Sequence, residues 1–284
     1  MATETLNYTA EDIAYLQHGD TPLRLRLLRP QGAGPFPLVV DLHGGAWTKG
    51  DLTECQTRDE ILVQAGFATA ALDFRHAGDG YPTSLIDINY AIRWLKSQSG
   101  RLRIDPSRVG IVGQSSGGHL AMLSAMRPAD PRYSSVELDA GVAPTTAAVH
   151  CVAMTWPVIN PLSRYRHALR LRNSAEPPAW TASIPERHDL YWQTEENMAE
   201  GNPLLALERG EVVETPPALW VQGSPDQIHD YRDPESALDL NEPERFAVRY
   251  REAGGEIEVH YVDQANRAEA SCNPLVGFFR RHLS

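Results

Sequence analysis

The stretch Arg108–Met126, RVGIVGQSSGGHLAMLSAM, constrains the fold more than any other part of the chain. A short apolar run typical of a buried strand leads into glycines and serines, and small and apolar residues typical of a helix follow. Gly113–Gly117 matches the pattern G-x-S-x-G, in which a strand turns sharply into a helix and exposes the hydroxyl of the central serine. Side chains at the two glycines would clash in so tight a turn. The stretch therefore predicts a strand, a strained turn at Ser115 and a helix.

Two functions fit a glycine-rich turn of this kind. The first presents Ser115 as a nucleophile, because the strained turn keeps its hydroxyl away from the packed interior. The second binds a phosphate at the start of the helix, but the lysine of a phosphate-binding P-loop is missing here. The strand before Ser115 and the small-residue helix after it favour the nucleophile.

Short apolar runs alternate with helical patterns along most of the 284 residues. This alternation predicts an α/β protein with a mostly parallel sheet and helices on both faces. The alternating run LRLRLLRP, Leu23–Pro30, instead predicts an exposed antiparallel strand. Residues 1–284 are expected to form a single domain, because one core is sufficient at this length. The predicted buried strands are FPLVVDLHGG, GFATAALDF, RVGIVGQS, VHCVAMTW, PALWVQGS and IEVHYVDQ.

One region interrupts the alternation, about residues 157–210, after a strand that ends at Trp156. So long an insertion in a compact domain is typical of a lid over a site, because binding segments cluster where strands end. A helical decoration of the surface is the alternative. The region contains prolines, aromatic residues and four arginines, which are Arg164, Arg166, Arg170 and Arg172.

A second glycine-rich turn, HGGAW at His43–Trp47, also follows a predicted strand. Its glycines would offer the backbone N–H groups of Gly44 and Gly45 to an oxyanion, together with the N–H of Ser116. Only glycine lets the backbone approach a substrate oxygen so closely. Trp47, which ends the motif, is expected to contact the substrate. A generic turn at the end of a strand is the alternative for this motif alone.

At these residues the chain resembles the α/β-hydrolase fold, within the branch of HGG-type esterases that includes proteins like hormone-sensitive lipase, feruloyl esterases and arylformamidases. DLHGGAWTKGD, IDPSRVGIVGQSSGGHLA and VQGSPDQ carry the resemblance, which runs from about Pro37 to the C-terminus and is weakest across the insertion. It implies an eight-stranded, mostly parallel sheet, a helical lid, Ser115 as nucleophile and no cofactor or metal. The implied chain order of the triad is serine, acid, histidine, and the acid falls on Asp226.

The chain departs from this family where the triad histidine is expected, because Arg267 occupies that position. An arginine cannot accept a proton in water. Arg267 could bind a substrate carboxylate through paired hydrogen bonds. Alternatively, it forms an ion pair with Asp226, where a histidine and an aspartate would pair in relatives.

His229, in SPDQIHDYRDP, is the best-placed replacement for the missing base. It follows the same predicted strand as Asp226, with Asp226 or Asp230 available to orient its ring. Adjacent strands lie ~4.8 Å apart, so a segment two strands from the serine must reach ~10 Å inward. A solvated loop histidine is the alternative.

The sequence predicts a hydrolase that cleaves a small carboxylic ester through an acyl-enzyme on Ser115, with Asp226 and His229 completing the triad. An amidase or arylformamidase, or a non-hydrolytic ligand-binding member, remains an alternative. The chain has a net charge of −11, and no run of basic residues dominates its sequence. Both features argue against nucleic acid as a partner. No export signal or membrane span is visible and the cysteines lack metal-like spacing, so a cytoplasmic protein with reduced thiols is expected.

Overall fold

The computed structural model describes residues 7–284, in which eight strands form one sheet. The strand order across the sheet is β1-β2-β4-β3-β5-β6-β7-β8. Every adjacent pair from β4 to β8 is parallel, whereas β1 with β2 and β2 with β4 are antiparallel. The strands are β1 (Tyr8–His18), β2 (Thr21–Pro30), β3 (Phe36–Leu42), β4 (Ala68–Leu72), β5 (Ile104–Gln114), β6 (Cys151–Thr155), β7 (Ala218–Ser224) and β8 (Ile257–Asp263). The mostly parallel eight-stranded sheet of the sequence prediction is confirmed.

Helices cover both faces of this sheet. The α-helices are α1 (Gln56–Gln64), α2 (Thr83–Ser97), α3 (Ser99–Leu102), α4 (Ser116–Met126), α5 (Pro161–Arg172), α6 (Ile184–Trp192), α7 (Glu195–Glu200), α8 (Pro203–Glu208), α9 (Glu242–Glu252), α10 (Arg267–Ala270) and α11 (Cys272–Leu283). Short 3-10 helices lie at Leu52–Cys55, Ala179–Ala182 and Gln264–Asn266.

Two apolar cores lie against the two faces, because successive side chains of a strand point to opposite sides. In β3, Leu38 and Val40 pack into the core that contains residues of α2 and α4, while Val39 packs into the core that contains residues of α1 and α11. In β5, Ile111 packs into the first of these cores and Val112 into the second. Strands buried on both faces produce the continuous apolar runs seen in the sequence.

The prediction that Leu23–Pro30 forms an exposed strand is wrong, although its antiparallel pairing is right. Leu25, Leu27 and Leu28 of β2 are fully buried. This strand lies between β1 and β4, so it has hydrogen-bonded neighbours on both sides and a face in the core. Its alternating pattern indicates one buried face rather than an exposed strand.

The insertion contains α5 to α8, and it is tied to the rest of the chain by buried groups. Tyr191 and Trp192 are fully buried. His119 of α4 donates through Nε2 to the carbonyl oxygen of Gly201 at 2.7 Å. This helical segment therefore packs directly onto the helix that follows Ser115.

The three cysteines, Cys55, Cys151 and Cys272, are free and buried. In residues 7–284, no helix is both long enough and apolar enough to cross a membrane.

Candidate active site

Ser115 lies in the turn between β5 and α4, and its backbone has a conformation that residues with a side chain rarely adopt. Its φ is 52° and its ψ is −118°, and a positive φ is uncommon for any residue other than glycine. Such a conformation costs on the order of 1–3 kcal/mol and persists only when its surroundings fix it. Here the N–H of Ser115 donates to Thr155 at 3.0 Å, and its carbonyl accepts from Val158 at 3.0 Å and His119 at 3.2 Å.

The glycines on either side of this turn are required by close backbone contacts. A Cβ atom on Gly113 would overlap the carbonyl oxygen of Gly117. A Cβ atom on Gly117 would in turn overlap the carbonyl oxygens of Leu42 and His43. The strand end at β3 and the start of α4 therefore touch through backbone alone, which brings the HGGAW turn against Ser115.

The Oγ of Ser115 lies 3.2 Å from Nε2 of His229. On the other side of the same ring, Nδ1 lies 2.8 Å from Oδ2 of Asp226. Since Asp226 accepts that hydrogen bond as a carboxylate, Nδ1 carries the proton and Nε2 presents its lone pair to the serine. The structure thus brings together the serine, histidine and acid that the sequence predicts.

One helical turn brings the side chains of Asp226 and His229, which are three positions apart in the sequence, into contact. The N–H of Asp230 donates to the carbonyl of Asp226 at 2.8 Å, which closes the turn. Side chains three apart on such a turn lie on the same side. The N–H of Ile228 also donates to Oδ1 of Asp226 at 2.9 Å and holds the carboxylate in place.

Arg267 lies beside this pair and forms the ion pair that is one of its two predicted alternatives. Its Nη1 is 3.1 Å from Oδ2 of Asp226. Its guanidinium lies over the indole of Trp156, 4.3 Å from the ring centre. Gln222 also donates through Nε2 to Oδ2 of Asp226 at 3.3 Å, so three donors converge on one buried carboxylate oxygen.

The electrostatics of the site favour a neutral histidine next to a charged aspartate. Burial raises the pKa of Asp226, but the hydrogen bond from His229, the N–H of Ile228 and the charge of Arg267 together outweigh it and leave that pKa at about 2. Burial lowers the pKa of His229 to about 4, and the charges of Arg164 and Arg267 act in the same direction while Asp226 opposes them. At pH 7 the imidazole is neutral and able to accept a proton.

The HGGAW turn contributes free backbone donors near Ser115. A Cβ atom on Gly44 would come within 3.5 Å of the Cβ of Ser115, so the two turns lie in contact. Gly45 has a φ of 107°, and a Cβ there would overlap the carbonyl oxygen of Lys49. Within residues 7–284, the N–H groups of Gly44, Gly45 and Ser116 have no hydrogen-bond acceptor. These donors can bind an oxygen that develops negative charge.

Trp47, which the sequence predicts to contact the substrate, is buried in the structure. Only 1% of its surface is exposed. The residue has a φ of 59°, and its indole packs on Tyr191 and Trp192 of the insertion. Its Nε1 donates to Nδ1 of His119 at 3.3 Å. The indole is a packing element between the HGGAW turn and the insertion.

Arg164 is a residue of the site that the sequence identifies only as one of four arginines in the insertion. It is buried and lines a narrow cavity together with His229 and Val158. The sequence carries no signal that separates it from Arg166, Arg170 and Arg172, because its burial depends on how α5 packs onto the rest of the chain.

The profile of the BD-FAE family matches residues 26–236. Among known proteins, the chain is 33% identical over 102 residues to the probable carboxylic ester hydrolase LipM of Mycobacterium tuberculosis, and this match covers 35% of the chain and 24% of LipM. It is also 33% identical over 143 residues to an ethyl acetate hydrolase of Pseudomonas putida, which covers 48% of this chain and 45% of that protein. The chain thus spans less than half the length of either relative.

Solved structures share the fold at low sequence identity. A bacterial heroin esterase superposes with a TM-score of 0.71 at 20% identity and covers 100% of this chain and 86% of its own. EstE1, a thermostable carboxylesterase cloned from a metagenomic library, superposes with a TM-score of 0.74 at 20% identity and covers 100% of this chain and 92% of its own. Identities this low establish the α/β-hydrolase fold alone.

Proposed function

This chain belongs to the BD-FAE family, and we propose that it hydrolyses a small carboxylic ester through an acyl-enzyme on Ser115. The observation that carries the proposal is the alignment of three groups, with Nε2 of His229 3.2 Å from Oγ of Ser115 and Nδ1 2.8 Å from Oδ2 of Asp226. The partial relatives named as ester hydrolases support the same class of reaction.

In the first step, Oγ of Ser115 attacks the ester carbonyl while Nε2 of His229 takes the hydroxyl proton. The carbonyl oxygen becomes an oxyanion, which the N–H groups of Gly44, Gly45 and Ser116 bind. The tetrahedral intermediate then breaks its bond to the alcohol oxygen, and the His229 imidazolium gives that oxygen its proton. An acyl ester on Ser115 and a free alcohol result.

In the second step, water attacks the acyl carbon and gives a proton to Nε2 of His229. The same N–H groups bind the second oxyanion, and its collapse breaks the bond to Oγ. The proton returns from His229 to Ser115, and the free acid leaves. Asp226 stays ionised throughout and stabilises the positive charge of the histidine in both steps.

We also propose that residues 157–210 cap the site as a lid. In support, the segment begins at Pro157 and Val158, and the Val158 N–H donates to the carbonyl of Ser115 at 3.0 Å. α5 then starts at Pro161, and Asn160 receives the N–H of Ser163 at 3.1 Å as its N-cap. The cap is therefore anchored directly on the nucleophile turn.

The test combines covalent labelling with turnover. A fluorophosphonate is expected to modify Ser115 at neutral pH, and 4-nitrophenyl acetate is expected to be hydrolysed. Ser115→Ala should abolish labelling and reduce kcat by about 10⁴-fold or more, since it removes the nucleophile. Ser116→Ala is a control for labelling, because only its backbone N–H is used. Labelling that persists in Ser115→Ala would contradict the proposal.

A further inference from the structure

Gln114 is the residue before Ser115, and its side chain lies against the HGGAW turn. The residue is half-buried at the end of β5. A Cβ atom on Gly44 would lie 3.5 Å from Cγ of Gln114 and 3.5 Å from Cβ of Ser115, so the two side chains flank the same glycine. A substrate oxygen bound to the N–H of Gly44 therefore lies close to the side chains of both residues.

A buried arginine fixes the orientation of the Gln114 amide. Nη1 of Arg58 donates to Oε1 of Gln114 at 3.3 Å. Because a guanidinium has donors only, the amide must turn its oxygen toward Arg58 and its NH2 group away from it. Within residues 7–284, Nε2 of Gln114 meets no hydrogen-bond acceptor, and the atom is open to solvent. The amide thus leaves two N–H donors free in the neighbourhood of Gly44 and Ser115.

Arg58 is itself held in a fixed position. The residue is only 8% exposed, and its Nε donates to Oδ2 of Asp41 at 2.7 Å while its Nη2 donates to Oδ1. Asp41 is fully buried in β3, and paired hydrogen bonds of this kind fix the plane of a guanidinium. The Gln114 amide is therefore oriented before any substrate arrives. A donor that is already oriented costs less conformational entropy when it binds its acceptor.

We propose that Nε2 of Gln114 donates a hydrogen bond to an oxygen of the substrate that lies close to the ester group. The inference rests on the ester hydrolysis proposed above and specifies its substrate class. The preferred substrate is then an ester with an additional ether, hydroxyl or carbonyl oxygen near the scissile bond. An oxygen is selected because the amide offers only N–H groups on this side, and an apolar group in the same place would displace water from them without replacing its hydrogen bonds.

Two pairs of esters place this oxygen on either side of the scissile bond. Methyl methoxyacetate and methyl butyrate differ in one oxygen that replaces a CH2 group on the acyl side. 2-Methoxyethyl acetate and butyl acetate differ in the same way on the alcohol side. The selectivity of each pair is the kcat/KM of the methoxy ester divided by that of the alkyl ester. A comparison of this selectivity between variants cancels the intrinsic reactivity of the esters.

Two replacements separate the donor from the contact with Arg58. Gln114→Glu keeps an oxygen for Arg58 but loses both N–H groups, whereas Gln114→Met loses both functions. In at least one pair of esters, each variant should reduce the selectivity about 3- to 10-fold, which is the effect of one neutral hydrogen bond. A purely structural role of Gln114 would slow both members of a pair equally and leave the selectivity unchanged.

Gln17→Glu is the matched control, because it makes the same chemical change on the exposed strand β1. There, Nε2 of Gln17 donates to the carbonyl oxygen of Gly19 at 2.7 Å. The selectivity of this variant should equal that of the unmodified protein. Arg58 is left in place, since its removal would leave the buried carboxylate of Asp41 unpaired. The thermal midpoint of every variant is measured, and two replacements of Gln114 are used so that one poorly folded variant does not decide the outcome.

The outcomes distinguish this inference from the proposed function. If 4-nitrophenyl acetate is hydrolysed in a Ser115-dependent way but neither Gln114 variant changes the selectivity of either pair, the substrate class is overturned and ester hydrolysis stands. A selectivity that falls in only one of the two variants also overturns it, because the contact with Arg58 or the added negative charge then explains the change. If no ester at all is hydrolysed, the proposed function fails, and the substrate class fails with it.

Discussion

Arg267 and Asp226 form an ion pair, with Nη1 3.1 Å from Oδ2, at the position where related hydrolases would pair a histidine with their aspartate. The arginine does not displace a base, because His229 reaches the same carboxylate oxygen at 2.8 Å. Burial lowers the pKa of His229 most, and the charge of Arg267 adds to that effect. The same charge also lowers the pKa of Asp226, after the larger effect of the hydrogen bond from His229. Arg267 is therefore a positioning residue for the triad that we propose.

Replacement of Arg267 should change the pH profile more than the maximal rate. Arg267→Gln removes a positive charge that lowers the pKa of His229. The acidic limb of kcat/KM is then expected to shift to higher pH by up to about one unit, with kcat at pH 8 within about threefold. Arg280→Gln, on the exposed side of α11, is the control. Arg267→His should not raise turnover, and a hundredfold gain in that variant would show that His229 is not the base.

His229→Gln tests the base directly. The variant keeps a polar side chain but cannot take the proton of Ser115, so kcat on 4-nitrophenyl acetate should fall about 10³- to 10⁴-fold. A residual rate above that in buffer is expected, because the oxyanion donors are intact. His260→Gln is the matched control, since His260 is 44% exposed in its side chain and its Nε2 lies 3.1 Å from Oε2 of Glu258, away from the triad. Equal rates for His229→Gln and the unmodified protein would contradict the proposed mechanism.

Particular residues show how much of this site the sequence predicts. Ser115 and its glycines follow from a local rule, since a strand-to-helix turn of this tightness leaves room for nothing larger. The contact between Asp226 and His229 also follows from local sequence, because a single helical turn places the two side chains on the same side. Trp47 and Arg164 could not be placed, since the direction of each side chain is set by packing against the insertion. That packing is between segments far apart in the chain, and periodicity does not encode it.

The strands of the sheet also differ in how far their surroundings can be predicted from the sequence. The continuous apolar runs of β3 and β5 predict strands covered on both faces, and both strands lie in the middle of the sheet. The burial of β2 was missed because alternation reveals one apolar face but not which neighbours cover it. Neighbours of a strand are a tertiary property, and here they are β1 and β4.

The low pKa of His229 predicts activity that extends into acid. Burial lowers this pKa from 6.5 to about 4, so the imidazole is neutral and able to act as a base above about pH 4. A plot of kcat/KM against pH reports this group in the free enzyme. Its acidic limb should lie well below pH 6, and a limb at or above pH 6.5 would contradict the environment described here. Recovery of full activity after return to pH 7.5 controls for loss of the fold.

The free energy of unfolding should decrease in acid, although the histidine of the site stays able to act as a base there. The reason is that two other buried histidines are neutral in the folded protein. Burial lowers the pKa of His119 to about 4 and that of His188 to about 3, from 6.5. Below pH 6.5 the unfolded chain binds protons that the folded chain does not, so the free energy of unfolding falls as pH drops from 6.5 toward 4. Urea titrations across this window measure the slope. His119→Gln should reduce that slope by up to about one proton, and an unchanged slope would show that His119 is protonated in the fold.

Gly117→Ala tests whether the two glycine-rich turns depend on direct backbone contact. A Cβ at this position would overlap the carbonyl oxygens of Leu42 and His43, which immediately precede Gly44. Backbone there must move, so the variant should lose about 1–3 kcal/mol of stability through overpacking. Displacement of the N–H donors of Gly44 and Gly45 should lower kcat by about 10²- to 10³-fold, as for the loss of an oxyanion donor.

Gly277→Ala is the matched control for that substitution, because its Cβ would meet nothing closer than Nη1 of Arg281 at 3.8 Å. Gly277 lies within α11, where alanine is favoured over glycine by about 1 kcal/mol. This control should therefore be as stable as the unmodified protein or more stable, with unchanged kcat. Since both variants add one methyl group to a helix, a large loss of kcat in Gly117→Ala alone would assign the effect to the contact between β3 and α4. Equal kcat values in the two variants would mean that the oxyanion donors do not depend on that contact.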